Sequence, residues 1–174
     1  MEFLPEPTIP CRHTRFISDT SIRIDPTATL FYAELFMSGR KYFGGERFAY
    51  DVLSVCTRAE RPDAEPLFRE KFVVRPADHS PRTLGAMDDY DVFANVVVLT
   101  PREHAEQICA RTEAFIDPRR RMAAGITRLP GECGLLYKVV GDETEPVKKC
   151  VRQFCSAVRS QVKGRPLPEE FPWR

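Results

Sequence analysis

The sequence has 174 residues, enough for one domain with a sizeable core, and its 43% apolar and 29% charged content is typical of a soluble globular protein. With 26 basic and 25 acidic residues, the net charge of +1 gives no reason to expect a nucleic-acid or acidic-membrane partner. No window approaches the roughly 20 apolar residues of a transmembrane helix. The N-terminal residues lack the basic and apolar regions of a signal peptide. We therefore expect a cytoplasmic protein.

Most of the chain is predicted to form β-strands, because apolar and aromatic stretches alternate with turn residues. The predicted strands are residues 29–37, 48–57, 67–75, 92–100, 123–128 and 134–140, the last two forming a hairpin across Pro130 and Gly131. In the second strand, loose alternation predicts that Phe48, Tyr50, Val52 and Cys56 share one face.

Two segments are predicted to form helices. The first places Pro101 at its first helical position, with Thr100 as N-cap and Glu103 completing a capping box, and it ends before Pro118. The second lies within residues 145–163, where apolar residues recur at the i, i+3, i+4, i+7 spacing of an amphipathic helix. Each helix has one apolar stripe to bury, and the sheets are the available partners.

The predicted fold is therefore mainly β, in the α+β class, as a single domain over residues 1–174. Gly164 is predicted to end the second helix. Because prolines cluster at both ends, residues 1–10 and 164–174 are predicted to be extended. None of the six cysteines forms a C-x-x-C pair, so we expect small buried side chains rather than a metal site or a disulfide framework.

The usual signatures of catalytic sites are absent from the sequence. It contains three histidines but no H-E-x-x-H, and it has no G-x-S-x-G, P-loop or G-x-G-x-x-G motif. The acidic cluster at residues 88–91 lacks the glycine and spacing of an EF-hand loop, so we expect a solvated turn there.

Three glutamates, Glu34, Glu46 and Glu70, lie in or beside apolar strands. An ionised carboxylate in such a place is costly unless it is paired or hydrated. One interpretation is that these side chains face outward or form salt bridges; the possible partners are Arg40, Arg47 and Lys71. The other is that some of them line a polar interior passage.

The same residues carry a family resemblance. The segment EFLPEPTIP at residues 2–10 resembles the L-E-[YW]-L-P-[DQ]-P-x-I-P segment in the middle of UreD-type (also called UreH) urease accessory proteins. Residues 33–35, 39–40 and 45–48 resemble that family's acidic residue followed by G-R and G-E-x-F. Residues 67–72, the late hairpin and the proline-rich tail with Trp173 also match. The resemblance covers essentially the whole chain and indicates the C-terminal part of the family pattern; Lys138 stands where the family often has arginine.

The resemblance implies a fold of stacked, helicoidal β-sheets with two helices, and no catalytic activity. It implies no tightly bound cofactor, only transient nickel. The implied partners are UreF, the nickel-binding GTPase UreG and the urease apoprotein, with nickel carried through an internal passage. The matching positions are Glu34, Glu46 and Glu70 as acidic residues of the passage or of the structure, with Arg40, Gly39 and Gly45 as structural or partner residues.

The physical chemistry of a metal carrier agrees with this reading, because scattered carboxylates release nickel more readily than a cage of imidazoles and thiolates. Two alternatives stay open. One is a protein-binding module without any metal function. The other is a carboxylate-based hydrolase, which needs two carboxyl groups at a defined separation with pKa values pushed apart.

Overall fold

The computed structural model describes residues 1–168, which form two β-sheets and two α-helices. The strands are β1 (Glu2–Phe3), β2 (Arg15–Arg23), β3 (Leu30–Met37), β4 (Val52–Glu60), β5 (Pro66–Val74), β6 (Val92–Leu99), β7 (Phe115–Asp117), β8 (Met122–Arg128) and β9 (Gly134–Gly141). The helices are α1 (Arg102–Arg111) and α2 (Thr144–Lys163), and a 3-10 turn at Pro130–Glu132 joins β8 to β9. The prediction of a mainly β fold with two helices is confirmed. Within residues 1–168, neither helix is long and apolar enough to cross a bilayer.

The two sheets pack face to face. Sheet A has six strands in the order β1-β3-β6-β9-β8-β7, and sheet B has three strands in the order β2-β4-β5. The β1–β3 and β2–β4 pairs are parallel, and the other pairs are antiparallel. Because side chains alternate along a strand, one face of sheet A meets the helices and the other meets sheet B.

Helix α2 covers sheet A with the apolar stripe that its sequence predicts. The buried members of the stripe are Val147, Val151, Phe154, Cys155 and Val158. The ring of Phe154 lies 4.2 Å from that of Tyr137 and 5.9 Å from that of Phe31, measured between ring centroids. Gly164 ends the helix in the left-handed conformation, with φ of 67°, as expected for the residue after a helix.

Helix α1 differs from its prediction at both ends. Pro101 is the N-cap and no side chain caps the helix, because the hydroxyl of Thr100 lies 2.7 Å from the hydroxyl of Thr29 instead. The helix ends at Arg111 rather than just before Pro118, and the residues that follow form β7. The predicted capping box was therefore wrong, since tertiary packing engages the hydroxyl it needed.

Strand β2 was not predicted. Its residues alternate between exposed side chains and less exposed ones, and its sequence contains no continuous apolar run. It pairs in parallel with β4, along which Arg15 lies opposite Val52 and Arg23 lies opposite Glu60. This pairing completes sheet B.

The prediction that four residues of the segment 48–57 share one face is only partly right: Val52 and Cys56 share a face of β4, whereas Phe48 and Tyr50 pack in the cluster of Leu53 and Val55. The strand begins at Val52, after a turn in which Phe48 has φ of 52°. The turn breaks the alternation, so Leu53 and Val55 point between the sheets while Cys56 lies on the outer side. Cys56 is nevertheless buried there.

The N-terminal segment runs along the edge of sheet A. It forms β1 and a parallel bridge between Thr8 and Phe36. At the other end, residues 169–174 lie outside the described residues, so the predicted extended tail with Trp173 stays a prediction there. Of the cysteines, Cys56, Cys133 and Cys155 are buried, Cys109 and Cys150 are half-buried, and Cys11 is exposed.

Close packing at the start of β9 generates a testable difference between two glycines. A Cβ atom added to Gly134 would overlap the backbone carbonyl oxygen of Val98, whereas one added to Gly125 would meet nothing within 4 Å. We expect Gly134→Ala to lower the free energy of unfolding by about 3 kcal/mol or more, and Gly125→Ala to change it by less than about 1 kcal/mol. Urea denaturation checks this, and equal stabilities of the two variants would contradict the strand pairing of β6 with β9.

Candidate functional site

Apolar side chains fill the space between the sheets in two separate clusters. The first contains Ile22, Ile24, Leu30, Tyr32, Ala59, Val97, Leu99, Leu129 and Cys133. The second contains Phe36, Tyr50, Leu53 and Val55, with Phe16, Phe48, Phe72, Val74 and Phe93 packed against them. The strand positions between the two clusters carry polar side chains.

The strand registers bring these polar side chains into line. In sheet A, neighbouring strands place Glu34, Asn95 and Lys138 opposite one another on β3, β6 and β9. In sheet B, they place Thr20, Thr57 and Glu70 opposite one another on β2, β4 and β5. We call these six residues, together with Tyr32, the polar row.

Glu34 lies at the centre of the polar row and is only 7% exposed. The hydroxyl of Thr57 donates a long hydrogen bond of 3.4 Å to its carboxylate, and the hydroxyl of Tyr32 lies 3.0 Å from that of Thr20. Desolvation by burial raises the pKa of Glu34; hydrogen bonds from Tyr32 and Thr57 oppose the rise, and the nearby charge of Glu70 adds to it. Burial likewise raises the pKa of Tyr32 to about 12. This half of the row therefore favours neutral side chains.

Glu70 is held by two donors from sheet A. Lys138 Nζ donates to one carboxylate oxygen at 2.6 Å, and Asn95 Nδ2 donates to the other at 2.7 Å. Because a carboxylate only accepts hydrogen bonds, the amide nitrogen of Asn95 faces Glu70. The amide oxygen Oδ1 is buried and has no hydrogen-bond partner among the described residues.

The polar row leads from one surface cleft to another. Thr20 and Tyr32 line a cleft of about 470 Å³ beside β1 and β2. Lys138 lines a cleft of about 770 Å³ beside β5 and β9. The row therefore crosses the space between the sheets from strand β2 to strand β9.

Glu46 has different surroundings from Glu34 and Glu70. Arg40 donates to both of its carboxylate oxygens at 2.9 Å, and Arg12 lies 3.7 Å away. The hydrogen bond from Arg40 lowers the pKa of Glu46. A Cβ atom on Gly39 would lie 2.8 Å from the backbone oxygen of Glu46, and Gly45 has φ of 69°. Arg40, Glu46, Gly39 and Gly45 together shape the loop between β3 and β4.

A second ion-pair centre fixes the same loop, and it corrects one prediction. Asp91 was expected in a solvated turn, but it is only 4% exposed. Its carboxylate pairs with Arg82, with Arg47 at 3.1 Å and with Lys41 at 3.6 Å. Lys41 also contacts Glu143 at 2.8 Å, next to the start of α2. The acidic cluster therefore contains a buried, compensated charge that joins the loop to the rest of the fold.

Sequence reasoning identified the two glutamates of the row but not their neighbours. Asn95 is the one polar side chain within β6, and that position was the available signal. Thr57 and Lys138 gave no such signal, because their role depends on strands far apart in the sequence. Among residues 1–168, no group of three His, Cys, Asp or Glu side chains is arranged to hold a metal ion. The row offers carboxylate, amide and hydroxyl oxygens, a donor set suited to weak cation binding.

Fold and site together define a class of protein: a mainly β protein of two facing sheets with a row of polar side chains between them. The family model described as "UreD urease accessory protein" matches residues 1–174. The chain belongs to this family.

Curated relatives agree with the family model. The urease accessory protein UreD of Yersinia enterocolitica is 46% identical over 181 residues, covering all of this chain and 56% of the relative. That of Yersinia pseudotuberculosis is 46% identical over 175 residues, covering all of this chain and 54% of the relative. Urease accessory protein UreD 2 of Brucella ovis is 44% identical over 174 residues, covering 99% of this chain and 58% of the relative. The chain thus spans about half the length of the curated relatives it matches.

The opposite pKa shifts of Glu34 and Glu46 predict opposite effects of pH on stability. Folded Glu34 holds its proton more tightly than the unfolded chain does, so its contribution to stability is complete below the ordinary carboxyl pKa of 4.5 and is lost as pH rises through the folded value. Glu46 has a lowered pKa, so its contribution is present above that ordinary value and is lost as pH falls.

We therefore expect Glu34→Gln to be more stable than the wild type at about pH 7 but not at about pH 4, because glutamine mimics the protonated acid. Glu46→Gln is the matched control, and we expect it to be less stable than the wild type at about pH 7 with a difference that shrinks on acidification. Denaturation curves across this range measure both. A Glu34→Gln variant that is destabilised at neutral pH would contradict the burial described for Glu34.

Proposed function

We propose that this chain acts in urease maturation as a non-catalytic scaffold that links UreF and UreG to the urease apoprotein and conducts nickel to it. The polar row is the observation that carries the proposal, because it places two carboxylates between two sheets and connects two clefts. Membership of the UreD family supports the role in maturation, and the names of the relatives support a non-catalytic one. The three partners follow from the family resemblance.

The donor set of the row suits an ion in transit. Nickel prefers imidazole and thiolate ligands, so a site made of carboxylate, amide and hydroxyl oxygens holds it weakly and releases it readily. The carboxyl groups of Glu34 and Glu70 provide oxygen ligands for a cation, while the apolar clusters on either side confine it to the row. Both features favour a conduit over a storage site.

Glu46 takes a structural part in this proposal. Both of its carboxylate oxygens accept hydrogen bonds from Arg40, so a passing cation would have to displace a guanidinium in a bidentate pair. We assign Glu46, Arg40, Gly39 and Gly45 to the shape of the loop between β3 and β4. The passage is assigned to Glu34 and Glu70.

The first test is complementation. Cells that express urease and its other accessory proteins, but lack their own copy of this accessory protein, are assayed for urease activity with and without this chain. We expect activation, together with co-purification of the chain with UreF and the urease apoprotein. Activation without co-purification would contradict the scaffold role, and neither result from a folded chain would overturn the proposal as a whole.

The second test separates conduction from scaffolding. We expect the double variant Glu34→Gln, Glu70→Gln to co-purify with the same partners while the nickel content of urease falls several-fold, because the row loses both carboxyl groups. Glu60→Gln is the matched control: it removes a carboxylate from the surface pair with Arg23, where little stability is at stake. Full nickel loading by the double variant would sink the assignment of the passage.

A further inference from the structure

The ammonium group of Lys138 occupies the place on Glu70 where a cation would bind. Its Nζ lies 2.6 Å from Oε1 of Glu70, a short, charge-assisted contact. The two side chains differ in exposure: Glu70 is 22% exposed, whereas Lys138 is 54% exposed and lines the cleft beside β5 and β9. Lysine has a flexible stem, so the ammonium can swing from the row into the cleft without any change in the backbone.

Oxygen atoms beside this ion pair can accept more hydrogen bonds than they receive. Asn95 Oδ1 is buried and accepts no hydrogen bond from the described residues, while the amide nitrogen of Asn95 is committed to Glu70. The carboxylate of Glu34, opposite Asn95 on the neighbouring strand, accepts a long hydrogen bond of 3.4 Å from Thr57, and the hydroxyl of Tyr32 also interacts with it. A buried acceptor without a donor is costly. The row therefore has acceptor capacity beyond what its own donors use.

The charge of Glu70 can be balanced in two ways. In the structure it is neutralised by Lys138. With Lys138 turned into the cleft, the same carboxylate is free to pair with a metal ion. Among the described residues of the row, the ionisable side chains are Tyr32, Glu34, Glu70 and Lys138, and burial raises the pKa of Tyr32 to about 12.

We propose that Lys138 is a resident counter-cation and that the polar row is an exchange site for a divalent metal ion. The metal ion binds to Glu70, with Asn95 Oδ1 and the carboxylate of Glu34 as further oxygen ligands, as the ammonium of Lys138 leaves for the cleft. The return of the ammonium expels the metal ion. This inference rests on the proposed nickel passage and names the residue that keeps its affinity low.

The test is a calorimetric titration of the whole chain with Ni²⁺ at neutral pH. Lys138→Met removes the charge and keeps an apolar stem, so we expect Ni²⁺ to bind about tenfold more tightly than to the wild type, the scale expected for removing one unit charge beside a partly exposed site. Lys138→Arg keeps the charge and Lys71→Met removes an exposed lysine next to Glu70 in sequence; both are expected to bind as the wild type does.

A second readout is a double-mutant cycle on Glu70. If Lys138 acts by competing for Glu70, we expect Lys138→Met to raise the Ni²⁺ affinity of the wild-type chain but not that of the Glu70→Gln variant. An equal gain in both backgrounds would overturn the competition for Glu70.

The outcomes separate this inference from the function it rests on. Equal affinities of wild type and Lys138→Met, with urease activation intact, would overturn the counter-cation and leave the maturation role standing. Loss of activation and co-purification for the wild-type chain would overturn the maturation role. Absence of Ni²⁺ binding by all variants, even at about millimolar Ni²⁺, where binding is worth only about 4 kcal/mol, would overturn the exchange site.

Discussion

The position of two carboxyl groups between the β-sheets, with Glu34 buried and Glu70 22% exposed, is the constraint on which the site depends. A carboxylate removed from water is tolerated only when it is paired or protonated. The structure uses both solutions: Glu70 is paired with Lys138 and Asn95, while burial favours the protonated form of Glu34. Apolar side chains in the same positions would avoid this cost. The polar row is therefore better explained by a function than by a contribution to folding stability.

The loop between β3 and β4 decides whether the row forms. Shifting a strand by one residue turns every side chain to the other face, so β4 must begin where it does for Thr57 to face Glu34. The bidentate pair of Arg40 with Glu46 and the buried charge of Asp91 hold this loop. Residues that do not contact the row thereby decide which side chains of β4 face it. A substitution that disrupts the loop is therefore expected to have the same effect as a substitution within the row.

How much the sequence predicts depends on how local the deciding interaction is. Strands β3, β5, β6 and β9 and helix α2 were predicted because their own residues contain the pattern. Strand β2 was missed, because its partner β4 lies across an intervening strand and only that pairing makes it a strand. The site divides in the same way: Glu34 and Glu70 stand out in their own strands, whereas Lys138 matters only because β9 lies beside β6.

A metal carrier must solve a problem that a metalloenzyme does not have, since it must both attract and release its ion. Tight cages of histidine and cysteine attract without releasing, and residues 1–168 contain none. Carboxylates alone attract, but buried pairs of them repel each other in the absence of a cation. In the exchange proposed above, Lys138 at the mouth of the row neutralises Glu70 and competes with the ion for it. Under that proposal, attraction and release are two positions of one flexible side chain, without any movement of the sheets.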